Sequence, residues 1–248
     1  MLSTICHFLD NFLQIGEIED YPNAVNGLQL ENDSRVTKIG AAVDVSEATI
    51  ELAIGENVEL LFVHHGLFWG GLRPITGSCY RKLRRAISAN LAIYSAHLPL
   101  DLHSELGNNI LLAKALRLPP AESLSWNSKR LGVAVSVELS LGELLKRLRG
   151  VLGRDPWVCA SGPEKVQRIG IVTGAGGNLL EKVAAQGIDT FVTGEGPHHT
   201  FALAEELKVN LIYGGHYATE TFGVRALAAR VAAEFALPWC FLDHPSGL

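Results

Sequence analysis

The chain is short of several features that would narrow its function at once. No stretch of its 248 residues approaches the ~18 uninterrupted apolar residues that a membrane-crossing helix needs. Met1 to Asp10 has no basic segment followed by an apolar core, which argues against a secretory leader and predicts a cytoplasmic protein. Cysteine is sparse: Cys6, Cys79, Cys159 and Cys240 contain no C-x-x-C pair, which excludes a thiolate zinc knot and fits a reducing compartment. Twenty-one Lys and Arg stand against 26 Asp and Glu, a formal charge of -5, so no global positive field exists to draw in nucleic acid. A G-x-S-x-G elbow and a Walker loop are both absent, which turns the reading away from covalent serine chemistry and P-loop nucleotide hydrolysis. What remains is a chain that is 48% hydrophobic and 19% charged, long enough to bury a sizeable core.

The chain repeats itself. Ile39 to Asp44, a helical pattern over Ser46 to Glu56, and Val58 to Val63 align without a gap with Ile169 to Gly174, Asn178 to Gln186, and Ile188 to Thr193. The offset is a constant 130 positions, and Glu51 falls on Glu181. An amphipathic helix precedes each unit, Thr4 to Leu13 and Gly142 to Leu152, with apolar residues at spacings of three and four. A third short strand follows each, Leu91 to Tyr94 and Leu211 to Tyr213, and then helices over Asn108 to Leu116 and Phe222 to Phe235. This order predicts an α/β class protein: an internally duplicated three-layer α/β/α fold with mostly parallel central strands in each repeat. The expected division is 1–125 and 126–248, with the Pro- and Ser-bearing Pro119 to Lys129 as the least strand-like, connecting part.

Ligands in such folds gather where parallel strands end, and seven of the nine histidines stand at four strand ends. These ends read His64-His65-Gly66, His97-x3-Asp101 with His103, Gly194-Glu195 with His198 and His199, and His216-x3-Glu220. Imidazole with carboxylate is the donor set of borderline divalent ions such as Zn, Mn, Fe or Co. The four-residue spacing can place imidazole and carboxylate on one side of a helical turn. Adjacent residues of an extended strand point opposite ways, so His64 and His65 serve different ions unless the strand has already turned. A paired or lone histidine is by itself more often a satisfied polar group than a ligand; convergence at matching points of two repeats favours a metal site. Gly174, Gly176 and Gly177 form a turn that either binds phosphate through its N–H groups or is simply tight. Arg73, Lys82, Arg84 and Arg85 could meet a phosphate, although a basic run is more often a solvated helix face. Among the aromatics, Trp69 lies near enough to the histidine pair to line a cavity.

Taken together, Val63-His64-His65-Gly66, Ala96-His97-x3-Asp101, Thr193-Gly194-Glu195 with His198-His199, Gly215-His216-x3-Glu220 and Asn26-Gly-Leu-Gln29 resemble the Nif-three-like family over nearly the whole chain. Bacterial members of that family are called GTP cyclohydrolase type 2 homologues. The resemblance implies repeats intertwined around a dinuclear centre of two divalent ions, and a ring-shaped homohexamer. It makes His64, His65, Asp101, His216 and Glu220 the metal ligands, with Glu220 bridging. His97, Glu195, His198 and His199 then line the cavity, with His97 or Glu195 handling protons. The function so implied is hydrolysis of a small, nucleotide-like substrate. The competing reading is a non-catalytic, metal-binding oligomeric scaffold.

Overall fold

The computed structural model describes residues 1–248. In chain order the elements begin with α1 (Leu2–Phe12), β1 (Gly27–Leu30), β2 (Ile39–Asp44), α2 (Glu47–Gly55), β3 (Leu60–His65), α3 (Gly77–Ser88), β4 (Ala92–Ser95) and α4 (Leu98–Asp101). They continue with α5 (Asn108–Ala115), β5 (Glu122–Trp126), β6 (Lys129–Ser140), α6 (Leu141–Leu152), β7 (Trp157–Ala160) and β8 (Lys165–Val172). After a 3₁₀ turn at Gly176–Leu179 come α7 (Leu180–Ala184), β9 (Thr190–Thr193), α8 (Thr200–Leu207), β10 (Asn210–Tyr213), α9 (His216–Phe235) and β11 (Trp239–Phe241). Two compact units result: Met1–His103 with Gly223–His244, and Ser104–Phe222 with Pro245–Leu248.

In the first unit the sheet runs β1-β4-β3-β2-β11. Strands β2, β3 and β4 are parallel, as is β11 on β2, and only β1 runs antiparallel. These strands are near-continuous apolar runs because both faces are covered. Alternation sorts them: Ala42, Leu61, Val63 and Ile93 pack with Ile50 and Ala53 of α2 and Ala86 of α3. Phe62 and Tyr94 point to the other face, where the Tyr94 hydroxyl donates to Asp10 Oδ1 of α1 at 2.7 Å. Helix α2 starts cleanly because Ser46 and Thr49 form a reciprocal capping box.

The second unit's sheet runs β5-β6-β8-β9-β10-β7, with β8, β9 and β10 parallel and the outer strands antiparallel. Here three layers can be read directly from residue parity. Ile169, Ile171, Val192 and Ile212 face Leu112 of α5 and Leu144 and Leu148 of α6. Val172, Phe191 and Leu211 face Leu180 and Val183 of α7 and Ala204 of α8.

Three details differ from the sequence reading. Pro119 to Lys129 is not merely a connection: β5 forms within it and pairs with β6 through a two-residue turn, Asn127 and Ser128, both at positive φ. Such a turn suits the strand twist, and Asn tolerates the left-handed conformation. Helix α9 starts at His216 rather than Phe222, so His216 lies inside its first turn. The compact units also do not divide at 125/126, a point inside β5: α5 packs on the second unit's sheet, and the C-terminal strand β11 hydrogen-bonds to β2 and so completes the first unit's sheet.

Candidate metal centre

In the first unit, β3 ends on two imidazoles. His64 is fully buried and its Nδ1–H donates to the Ala96 carbonyl at 2.9 Å. His65 Nδ1–H donates to Asp44 Oδ1, at the end of β2, at 2.8 Å. Following β4, His97 Nδ1–H reaches both oxygens of Asp20, at 2.9 and 3.1 Å. A carbonyl or carboxylate oxygen can only accept, so each ring keeps its lone pair on Nε2 unless a second proton is added. One ring nitrogen of each of His64, His65 and His97 lies within 4.8 Å of the others. Strand alternation therefore does not separate the adjacent pair: their ring centroids are 4.8 Å apart. His64 Nε2 also stands 3.3 Å from Asp101 Oδ2. Two electron-pair donors at that distance require a positive charge between them, a proton or a metal ion.

Asp20 is the residue the sequence reading missed. It lies in a loop with no strand-end signal, yet its side chain is almost fully buried. Besides His97 it accepts from Asn26 Nδ2 at 2.8 Å and from the Leu98 N–H at 3.1 Å. Burial pushes its carboxyl up, but the hydrogen bonds from His97 and Asn26 outweigh it and hold the pKa at about 2. Asn26 in turn accepts from the His97 backbone N–H at 2.8 Å, so backbone and ring of His97 are both fixed. Asp44 was legible only as the last residue of a strand.

In the second unit, His216 opens α9, and Gly215 before it takes φ +99. His216 Nδ1–H donates to Glu195 Oε1 at 2.8 Å, and Nε2 lies 3.0 Å from Glu220 Oε2, one turn on. Burial alone would lower the His216 pKa, but Glu220 and Glu195 overcome it and raise it to about 9. The arrangement thus holds a cation at Nε2, and a divalent ion can take the place of that proton. Gly174, at φ +67, makes room for this: a Cβ there would collide with Glu220 Oε1.

That observation corrects the phosphate reading of the glycine turn. The Gly174 N–H donates to Thr219 Oγ1, the Gly176 N–H to Thr193 Oγ1 and the Gly177 N–H to the Glu195 carbonyl, at 3.1, 3.0 and 3.0 Å. These donors are spent inside the protein, and the turn serves packing. Two arginines of the basic run on α3 are likewise committed, Arg81 to Glu47 and Arg85 to Glu51 on α2. His198 and His199 are exposed just before α8, His199 as its N-cap residue. Trp69 does approach the imidazoles, with ring centroids 4.7 Å from His97 and 5.6 Å from His65.

The donor chemistry fits a divalent metal, since imidazoles oriented by oxygen acceptors and buried carboxylates recur in both units. No helix is long and apolar enough to cross a membrane. A family model described as Duf34/NIF3 (NGG1p interacting factor 3) matches residues 1–246. A Deinococcus radiodurans protein named "GTP cyclohydrolase 1 type 2 homolog" is 42% identical over 98% of this chain and 93% of its own length. One of the same name from Archaeoglobus fulgidus is 35% identical over 100% and 99%. Among solved structures, TTHA1606 of Thermus thermophilus is similar at TM-score 0.92 and 42% identity, covering 99% of each chain. Reduced HcgD of Methanocaldococcus jannaschii is similar at 0.86 and 28%, covering 98% of each. With a family model spanning almost every residue and relatives of this identity, the chain belongs to the Duf34/NIF3 family.

Proposed function

We propose that the protein is a divalent-metal-dependent hydrolase of a small, nucleotide-like substrate. The observation that carries this reading is the shared orientation of four imidazoles: His64, His65, His97 and His216 each commit Nδ1 to an oxygen acceptor and keep Nε2 for a cation or a proton. His64, His65, Asp101, His216 and Glu220 would hold the ions. Bound there, divalent ions would lower the pKa of a water and polarise the bond under attack.

The chain's own residues do the rest. His97 takes up the proton at Nε2, because Nδ1–H is held by Asp20. With a pKa of about 2, Asp20 stays ionised at neutral pH, fixes the ring's orientation and stabilises the imidazolium that forms. Glu195, a candidate proton carrier on sequence grounds, is better placed to orient His216. His198 and His199 remain candidates for the cavity rim. The relatives' name supports a guanine nucleotide as the first substrate to try, and the family resemblance supports a cytoplasmic hexameric ring, which light scattering checks.

Elemental analysis of protein purified without chelator or histidine tag should give two divalent ions per chain, and incubation of that protein with GTP should release formate. No bound metal would sink the reading. Full metal content without turnover of GTP or related nucleotides, with Glu220→Ala weakening assembly, would favour the scaffold instead.

A further inference from the structure

Beside the imidazoles of the first unit stand two large aromatic rings left open to solvent. Tyr21 is 64% exposed and Trp69 36% exposed. Trp69 meets the His97 ring edge-on, at an interplanar angle of 85°, while the Tyr21 ring lies 5.7 Å from His97 and only 31° from parallel to it. Both rings therefore pack on His97, Trp69 edge-on and Tyr21 closer to face-on. Trp69 Nε1–H donates to the Gly66 carbonyl at 2.9 Å, and the Tyr21 N–H donates to Asp20 Oδ1 at 2.7 Å, the same carboxylate that pins His97. A backbone bond from the Val25 N–H to the Phe68 carbonyl, at 3.3 Å, ties the two segments together.

The same loop carries a cation. The guanidinium of Arg73 folds back over Gly70, next to Trp69, and is exposed. Unlike Arg81 and Arg85, which are bound to Glu47 and Glu51, it makes no ion pair. Exposed aromatics packed on His97, with the Arg73 guanidinium at the adjoining Gly70, match a flat ring bearing an anion. Aromatic faces stack on any such ring, and a guanidinium suits a phosphate.

We infer that Tyr21, Trp69 and Arg73 form a binding subsite for a planar heteroaromatic ring with an anionic substituent. The ring stacks on these aromatics and the anion rests on Arg73, which brings the ring system against His97. This rests on the hydrolase reading only for the placement of the chemistry, since binding itself needs none.

Calorimetric titration of the full-length protein with guanosine monophosphate, guanosine and inorganic phosphate tests it, with metal content measured in parallel and each titration repeated after chelation. Guanosine monophosphate should bind, guanosine about 10-fold more weakly, and phosphate alone more weakly still. Tyr21→Ala and Trp69→Ala should each weaken both ring-bearing ligands by about 10-fold, while Trp69→Phe, which keeps a stacking face and guards against a folding artefact, should lose far less. Arg73→Ala should weaken guanosine monophosphate but leave guanosine unchanged. Affinity unaltered by Tyr21→Ala and Trp69→Ala, phosphate binding as tightly as the nucleotide, or no ring binding by a fully metallated protein would each overturn the subsite. Ring binding retained by a chain that holds no metal would support the subsite and sink only the hydrolase.

Discussion

The two repeats use the same strand ends for different work. At the third strand end, His97 and Asp101 of the first repeat correspond to His216 and Glu220 of the second. Only the second pair closes on itself: His216 lies within α9, so its ring and Glu220 sit one turn apart, 3.0 Å from nitrogen to oxygen. His97 instead stands outside the four-residue α4, at φ -97 and ψ -107. Its ring turns to Asp20, and Asp101 turns to His64. The orienting carboxylates have moved as well. Asp44, which orients His65, matches Gly174, where a side chain would displace Glu220; Glu195, which orients His216, matches His65 itself. A duplicated scaffold conserves where side chains emerge, while each copy decides which neighbour they meet.

Breaking the more crowded repeat should have the largest effect. Gly174→Ala adds a Cβ that collides with Glu220 Oε1 at a backbone angle only glycine adopts easily. We expect metal content to collapse while Asp44→Ala, at the matching position, leaves a reduced but measurable amount; equal metal loss in both variants would contradict the asymmetry. In the second unit's core, Phe191→Ala should lower unfolding free energy by about 3–5 kcal/mol, read by denaturant titration, because Phe191 is fully buried between the sheet and α7 and α8. A loss below about 1 kcal/mol would show that this layer is not packed as described.

Smaller effects sharpen the comparison. Asp44→Asn and Glu195→Gln remove the charge that orients one imidazole in each unit, and each should weaken metal affinity by about 10–100-fold in competition with a chelating dye. If only one does, the two orienting pairs are not equivalent. Smallest of all, Ser46→Ala should cost about 1 kcal/mol by opening the capping box of α2. Asn178→Ala, in the 3₁₀ turn that leads into α7 without a side-chain cap, should cost almost nothing in the same denaturant assay.

Much of this was legible beforehand. The apolar runs and their constant offset marked β2, β3, β8 and β9, and the histidines at strand ends marked the donors. Asp20 escaped because a loop residue acquires meaning only from what packs on it. Trp69 was visible as a neighbour of the histidine pair, whereas Tyr21, 76 positions before His97, carried no signal of its own. Hairpin β5–β6 escaped because its strand lies in a Pro- and Ser-bearing segment where partner strands, rather than local propensity, settle the pairing.

Period, composition and repetition belong to the sequence alone, because they follow from which side chains need burial and how often. From them came the α/β class, the duplication and the inventory of imidazoles and carboxylates. Tertiary structure decided which nitrogen of each imidazole faces outward, that the glycine turn yields its N–H groups to Thr219, Thr193 and Glu195 rather than to an anion, and that Asp20 stands behind His97. Those outcomes depend on hydrogen bonds between residues up to 77 positions apart, and no local pattern encodes such a partner.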